Sequence, residues 1–248
     1  MNPKHMTIIE HLTELRKRLI IVAVFFVIAM IASLFMAQPV IRYLQHSTEA
    51  KELTMNAFRV TDPLKVYMEV SVIIAVVLIL PIILYQIWAF ISPGLYERER
   101  KITLTYIPLA ICLFLIGIIF SYYILFPLVI QFMMKLSHQM AIHTVIGINE
   151  YFSFLIQITL PFGFIFQMPV VTMFLTRLGM ITPVFLKKVR KYAYLGLIII
   201  AAIITPPDVF SQLVVSVPLI ALYEISVLVS KFSYRKVKLI EHSLEIEN

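Results

Sequence analysis

Residues Leu19–Ala37 read LIIVAVFFVIAMIASLFMA, nineteen positions with no charge and a single hydroxyl, Ser33. A helix needs about 20 mostly apolar residues to cross a hydrocarbon core of roughly 30 Å. In lipid the backbone groups must satisfy one another, which a helix does within one segment. The run is therefore a membrane span, entered behind the cations Arg16, Lys17 and Arg18. It is too long, and lacks the small-residue cleavage pattern, to be expected as a removable leader. Five further runs of the same kind follow at 66–91, 104–126, 153–176, 192–205 and 210–229. Sixty per cent of the chain is hydrophobic and only 14% is charged, against about a quarter charged in soluble domains. The surplus apolar surface faces lipid. The sequence thus predicts an all-α integral membrane protein of six transmembrane helices, one polytopic membrane domain over 1–248.

The cations orient it. Residues ahead of the first span, in the second and fourth loops and in the tail hold 16 of the 21 Lys and Arg, while Arg42, Lys51, Arg59, Lys65 and Lys135 hold the other side. Positive charge stays inside, so both termini are expected in the cytoplasm, with the chain in the cell (plasma or inner) membrane. The net charge of +7 is accounted for by this asymmetry and by anionic lipid headgroups rather than by nucleic acid. Residues 1–18 carry Ile8, Leu12, Leu15 and Leu19 on one helical stripe and are expected to lie in the interface before turning into the membrane. Residues 230–248 form a cytoplasmic tail.

The last two spans are unusual. Residues 192–205 give 14 positions, about 21 Å of helix. Either this pair thins the bilayer, or Tyr192, Tyr194 and lysine stems extend it by snorkelling. Pro81, Pro108, Pro127, Pro161, Pro169 and Pro218 punctuate the spans, and a proline removes a backbone donor and bends a helix. No internal repeat is present.

Chemistry is sparse. All six histidines lie outside the spans, Cys112 is alone, and no phosphate-cradling, zinc-protease or serine-nucleophile motif occurs. No cofactor and no metal site is expected. The acids within spans are Glu69, near the outer end of the second, and Glu224, near the inner end of the sixth. A solute carrier would place ionisable groups at mid-depth, and a membrane enzyme would cluster catalytic groups at one level; neither pattern is present.

Two inner patches mix acid with base: His11-Leu12-Thr13-Glu14-Leu15-Arg16-Lys17-Arg18, and Trp88 through Lys101, WAFISPGLYERERK. Glu14 and Arg18 can be a helix pair worth a few tenths of a kcal/mol. Alternatively Glu14 and Glu99 are carboxylates open to a basic peptide, with Phe90, Leu95 and Tyr96 as an apolar rest. Guanidinium–carboxylate pairing is bidentate, so two carboxylates can read two adjacent arginines.

These strings, with PIILYQIWAFISPGLYERERK (81–101), Phe126-Pro127, Phe166-Gln167-Met168-Pro169, TPPDVFSQ (205–212) and Tyr223-Glu224-Ile225, resemble the TatC subunit family of the twin-arginine, Sec-independent protein translocase. The resemblance runs from about residue 8 to 235. It implies a curved, glove-like scaffold with a short final helix pair and no enzymatic activity. It implies a core receptor that binds twin-arginine signal peptides of folded proteins at the cytoplasmic side. By that resemblance Glu14 and Glu99 pair with the arginines, Phe90 and Leu95 shape the surface, and Arg16 holds the carboxylates in place. It further implies assembly with single-span TatA-type and TatB-type subunits along the last two spans, with Asp208 on the outer turn. Self-association in the complex and export driven by the proton-motive force are implied as well. Gln167 stands where many members carry glutamate, so that site is polar but cannot ionise. It can bond a neighbouring helix or a partner's polar group. Glu224 is read as a snorkelling carboxylate beside a lysine such as Lys231, and Glu69 as a similar surface group.

Overall fold

Helix α1 spans Ile8–Gln45, 38 residues without interruption. The segment contains neither glycine nor proline before Pro39, so nothing breaks its ladder of backbone bonds. The turn expected near residue 19 is accordingly not made: stripe and span form one rod of about 57 Å. The structure is a computed structural model and describes residues 8–46, 55–92, 100, 103–142, 144–206 and 208–246. After α1 come the two-residue strand β1 (Met55–Asn56) and helix α2 (Asp62–Ile91). Helix α3 (Tyr106–Phe120) continues through a π-helical turn, Ser121–Leu125, into α4 (Phe126–Gln139). Strand β2 (Ile146–Gly147) leads into α5 (Ile148–Ile165) and α6 (Met168–Arg177). Helices α7 (Pro183–Ile204) and α8 (Val209–Ile246) complete the chain.

Among the described residues, five stretches are long and apolar enough to cross a membrane: Ile9–Gln45, Asp62–Ile91, Tyr106–Gln139, Ile148–Arg177 and Val209–Arg235. The sixth, α7, carries Lys187, Lys188, Arg190 and Lys191 in its first half. That leaves about 20 Å of uncharged helix from Tyr192 to Ile204. Helix α8 runs on to Ile246, past the end at 229 read from hydropathy, because its ladder continues through the charged residues that follow.

Proline shapes these helices unequally. Pro81, Pro161 and Pro218 sit inside unbroken helices. Pro127 follows the π-helical turn, where an extra residue takes up the missing donor. Pro169 lies at the start of α6, just after the helix breaks at Phe166 and Gln167. Lacking an N–H, it cannot bond Ile165 across the break.

The chain divides into two compact units, residues 1–100 with 130–160, and residues 101–129 with 161–248. In the first, α1 and α2 pack as an antiparallel pair. The Tyr67 hydroxyl donates to the Leu34 carbonyl, Arg18 donates to Gln86, and His11 stacks on Phe90, so numbers rise along one helix as they fall along the other. Ser33, Ala37, Ser71 and Ala75 are buried; small residues let backbones approach where lipid supplies no hydrophobic drive. Strands β1 and β2 pair in parallel, Met55 with Ile146 and Asn56 with Gly147. Buried Asp62 accepts from the backbone N–H groups of Phe58 and Arg59 at 3.0 and 2.8 Å, fixing the entry to α2.

In the second unit, α8 packs on α6 and α7. Thr176 and Ser230 share a buried hydroxyl–hydroxyl bond of 2.8 Å, and the Tyr223 hydroxyl donates to the Leu186 carbonyl at 2.8 Å. Gly117 and Gly163 bring α3 against the end of α5. A Cβ on Gly117 would meet the Phe162 carbonyl oxygen at 2.8 Å, and one on Gly163 the Phe114 ring at 2.8 Å. Phe114, Phe162 and Phe166 fill the surroundings. Gly179, at φ +70°, ends the turn after α6, and Thr182 caps α7 by accepting from the Phe185 N–H at 3.2 Å.

Candidate functional site

The start of α1 and the end of α2 bring the first acidic patch beside part of the second. Glu14 Oε1 accepts from Arg18 Nη2 at 2.5 Å and Nε at 3.1 Å. Arg18 Nη1 reaches across the helix pair to Gln86 Oε1 at 3.1 Å. One turn earlier the His11 ring stacks on Phe90, centroids 4.3 Å apart. The Arg100 guanidinium lies 5.7 Å from the Trp88 ring centroid, a cation–π distance. Glu14 and Arg18 are largely covered, their side chains 19% and 22% exposed. Glu14 Oε2 is buried without a partner among the described residues.

The helix pair of Glu14 with Arg18 offered by the sequence is formed. The guanidinium that meets Glu14 is Arg18, whereas Arg16 is exposed. The reason is helical: residues four apart share a face and residues two apart do not. Glu14 and Phe90 are thus both at this end of the pair; Leu95 and Glu99 lie outside the described residues. His11, already part of the first patch, finds its partner in Phe90, and Gln86 joins the site unforeseen. Gln86 is the one amide in the apolar run PIILYQIWAFI, a signal that becomes readable once α1 and α2 are placed in register.

In the second unit, Gln167 sits at the break between α5 and α6, only 9% exposed. Its N–H donates to the Phe164 carbonyl at 3.0 Å, and its carbonyl accepts from the Val171 N–H at 3.0 Å. Its side-chain Nε2 is buried without a partner among the described residues. Neighbouring side chains therefore leave a donor open there. Asp208 caps α8: its Oδ1 accepts from the Ser211 N–H at 2.7 Å, while Oδ2 is buried and unpartnered among the described residues.

Two carboxylates read as bland surface groups have defined partners. Glu224 Oε2 accepts from Arg190 Nη2 at 2.6 Å, and Oε1 accepts from the Tyr194 hydroxyl. The cation beside Glu224 is Arg190 of α7, not Lys231 of its own helix: Lys231 is seven residues on, about 10 Å along the axis. Glu69 accepts from the Ser153 hydroxyl at 3.0 Å, joining α2 to α5.

Comparison with known proteins agrees with this architecture. The family described as "TatC: Sec-independent protein translocase protein (TatC)" matches residues 10–218. The chain is 60% identical over 236 residues to the Sec-independent protein translocase protein TatCy of Bacillus subtilis, covering 95% of this chain and 93% of that one. It is 35% identical over 221 residues to TatC of Helicobacter pylori, covering 89% and 86%. A solved structure described as "Crystal Structure of Twin Arginine Translocase Receptor- TatC" superposes with a TM-score of 0.80 at 34% identity, over 90% of this chain and 99% of that one. With a family match over most of its length, relatives at high identity and a shared fold, this chain belongs to the TatC family of Sec-independent protein translocase proteins.

Proposed function

We propose that this protein is the receptor core of the translocase, reading twin-arginine signal peptides of folded cargo where the start of α1 and the end of α2 meet the cytoplasm. As a TatC-family chain it is a multi-pass membrane component of the Sec-independent translocase and not an enzyme. The observation that carries the finer reading is Glu14. It is a mostly covered carboxylate with one oxygen unpartnered among the described residues, set among cations beside the His11–Phe90 stack. A carboxylate in such a low-dielectric rim binds a guanidinium more strongly than one in water. Glu99 supplies the second carboxylate, Phe90 and Leu95 receive the apolar flank of the signal, and Arg16 holds the carboxylates in place.

Binding at this edge leaves the apolar part of the signal free to enter the membrane along the helices. Small single-span TatA-type and TatB-type subunits, and further copies of this chain, then assemble around it. Gln167 favours that step: its open buried donor suits an acceptor on an entering helix. No nucleotide-binding motif is present in the sequence, and the proton-motive force supplies the energy.

The test is photo-crosslinking of an Arg-Arg signal peptide to the full chain in membranes. Glu14→Gln with Glu99→Gln removes two charge-assisted pairs, each worth about 1.5–3 kcal/mol, so crosslinking should fall at least roughly tenfold. Export of a folded reporter should collapse when its signal carries Lys-Lys. Undiminished crosslinking in the double variant defeats the reading.

A further inference from the structure

The carboxylate assigned to the signal peptide already holds an arginine. Arg18 places Nη2 and Nε at 2.5 and 3.1 Å from Glu14 Oε1, and Nη1 at 3.1 Å from Gln86 Oε1. An i,i+4 pair on one helix would be weak and mobile by itself. Here the facing helix contributes a third contact, so the guanidinium is pinned on both sides. Glu14 is nevertheless only half satisfied, with Oε2 buried and unpartnered among the described residues. A buried polar atom in that condition is unfavourable and gains from another donor.

We propose that Arg18 is an internal stand-in for the signal arginine, so that signal binding at Glu14 is an exchange of one guanidinium for another. The incoming group takes the Glu14 carboxylate, and Arg18 withdraws to the Gln86 amide that already accepts from it. This rests on the reading of Glu14 as a signal-binding carboxylate. Apparent affinity is lowered by the fraction of time that Arg18 occupies the site. The factor is the same for every peptide, because it depends only on how often Arg18 occupies the site, and the preference for arginine over lysine rests on the fit of the guanidinium fork to Glu14 itself.

The experiment measures binding of synthetic Arg-Arg and Lys-Lys signal peptides to the full chain in nanodiscs by fluorescence anisotropy. Arg18→Met should tighten Arg-Arg binding about three- to tenfold, the range expected when a partly occupied site is vacated. Lys-Lys binding should tighten by the same factor, leaving the ratio between the two unchanged. Arg18→Gln, which removes the charge and the fork but keeps a polar side chain, should tighten both affinities in the same way, and it carries the test should Arg18→Met fail to fold; Gln86→Leu, which removes the group to which Arg18 withdraws, should tighten neither. Adding Glu14→Gln should abolish these gains. If Glu14→Gln weakens binding but neither Arg18→Met nor Arg18→Gln tightens it, the stand-in role is wrong and the receptor site stands. If Glu14→Gln leaves binding unchanged, the site and the stand-in both fall.

Discussion

Replacing Glu224 by alanine removes two bonds between α7 and α8 at once and strands a guanidinium at the edge of the membrane. Glu224 accepts from Arg190 at 2.6 Å through one oxygen and from the Tyr194 hydroxyl through the other. The Arg190 and Glu224 side chains remain 41% and 35% exposed, so the ion pair is discounted for screening to about 0.5–1 kcal/mol. The Tyr194 hydroxyl bond is lost with it. The ion pair alone corresponds to roughly 1–4 °C in Tm for a chain of this size. Tyr194→Phe removes only the hydroxyl bond, so its effect should be smaller than that of Glu224→Ala, and Glu224→Gln, which keeps an acceptor and the shape, should also cost less than Glu224→Ala. The assay is the fraction of purified protein surviving as a monodisperse peak after a heating series, at fixed detergent and lipid. An Arg190→Met variant should cost less than Glu224→Ala, because it leaves the Tyr194 bond in place, and the pair combined should cost less than their sum. A shift under about 1 °C for Glu224→Ala, or a larger effect from Lys231→Met than from Arg190→Met, would refute the assignment.

Gly117→Val should prevent assembly of the second unit: its Cβ would stand 2.8 Å from the Phe162 carbonyl and 2.9 Å from the Phe166 side chain. Loss of membrane-inserted, protease-resistant protein is the readout, and normal accumulation would contradict the close approach of α3 and α5. Asp208→Ala should cost about 1 kcal/mol by uncapping α8 at the Ser211 N–H. Asp208→Asn should retain most of that stability in the same heating series, and equal losses for both would argue against a capping role.

Within the site, legibility followed the range over which each interaction acts. Glu14, Phe90 and the surrounding cations could be picked out because acid amid base at the end of an apolar run is a local pattern. The partner of Glu14 could be read only as far as the helical repeat reaches, and that repeat selects Arg18 over Arg16. Gln86 and the stacking of His11 on Phe90 entered through the pairing of α1 with α2, which no local pattern specifies. Leu95 and Glu99, outside the described residues, stand as they did in the sequence.

What the sequence determined by itself was the membrane class, the six helical stretches and the poverty of catalytic groups. Span length and hydropathy are set between each segment and the lipid, one segment at a time. The tertiary structure decided the antiparallel register of α1 and α2, the uninterrupted course of α1 and the break at Gln167. It also decided that Glu224 belongs to Arg190 and Tyr194, 34 and 30 residues away in the chain. Lipid is as apolar as leucine, so hydropathy cannot tell a helix which neighbour to face; steric fit at small residues and a few directional bonds must do so.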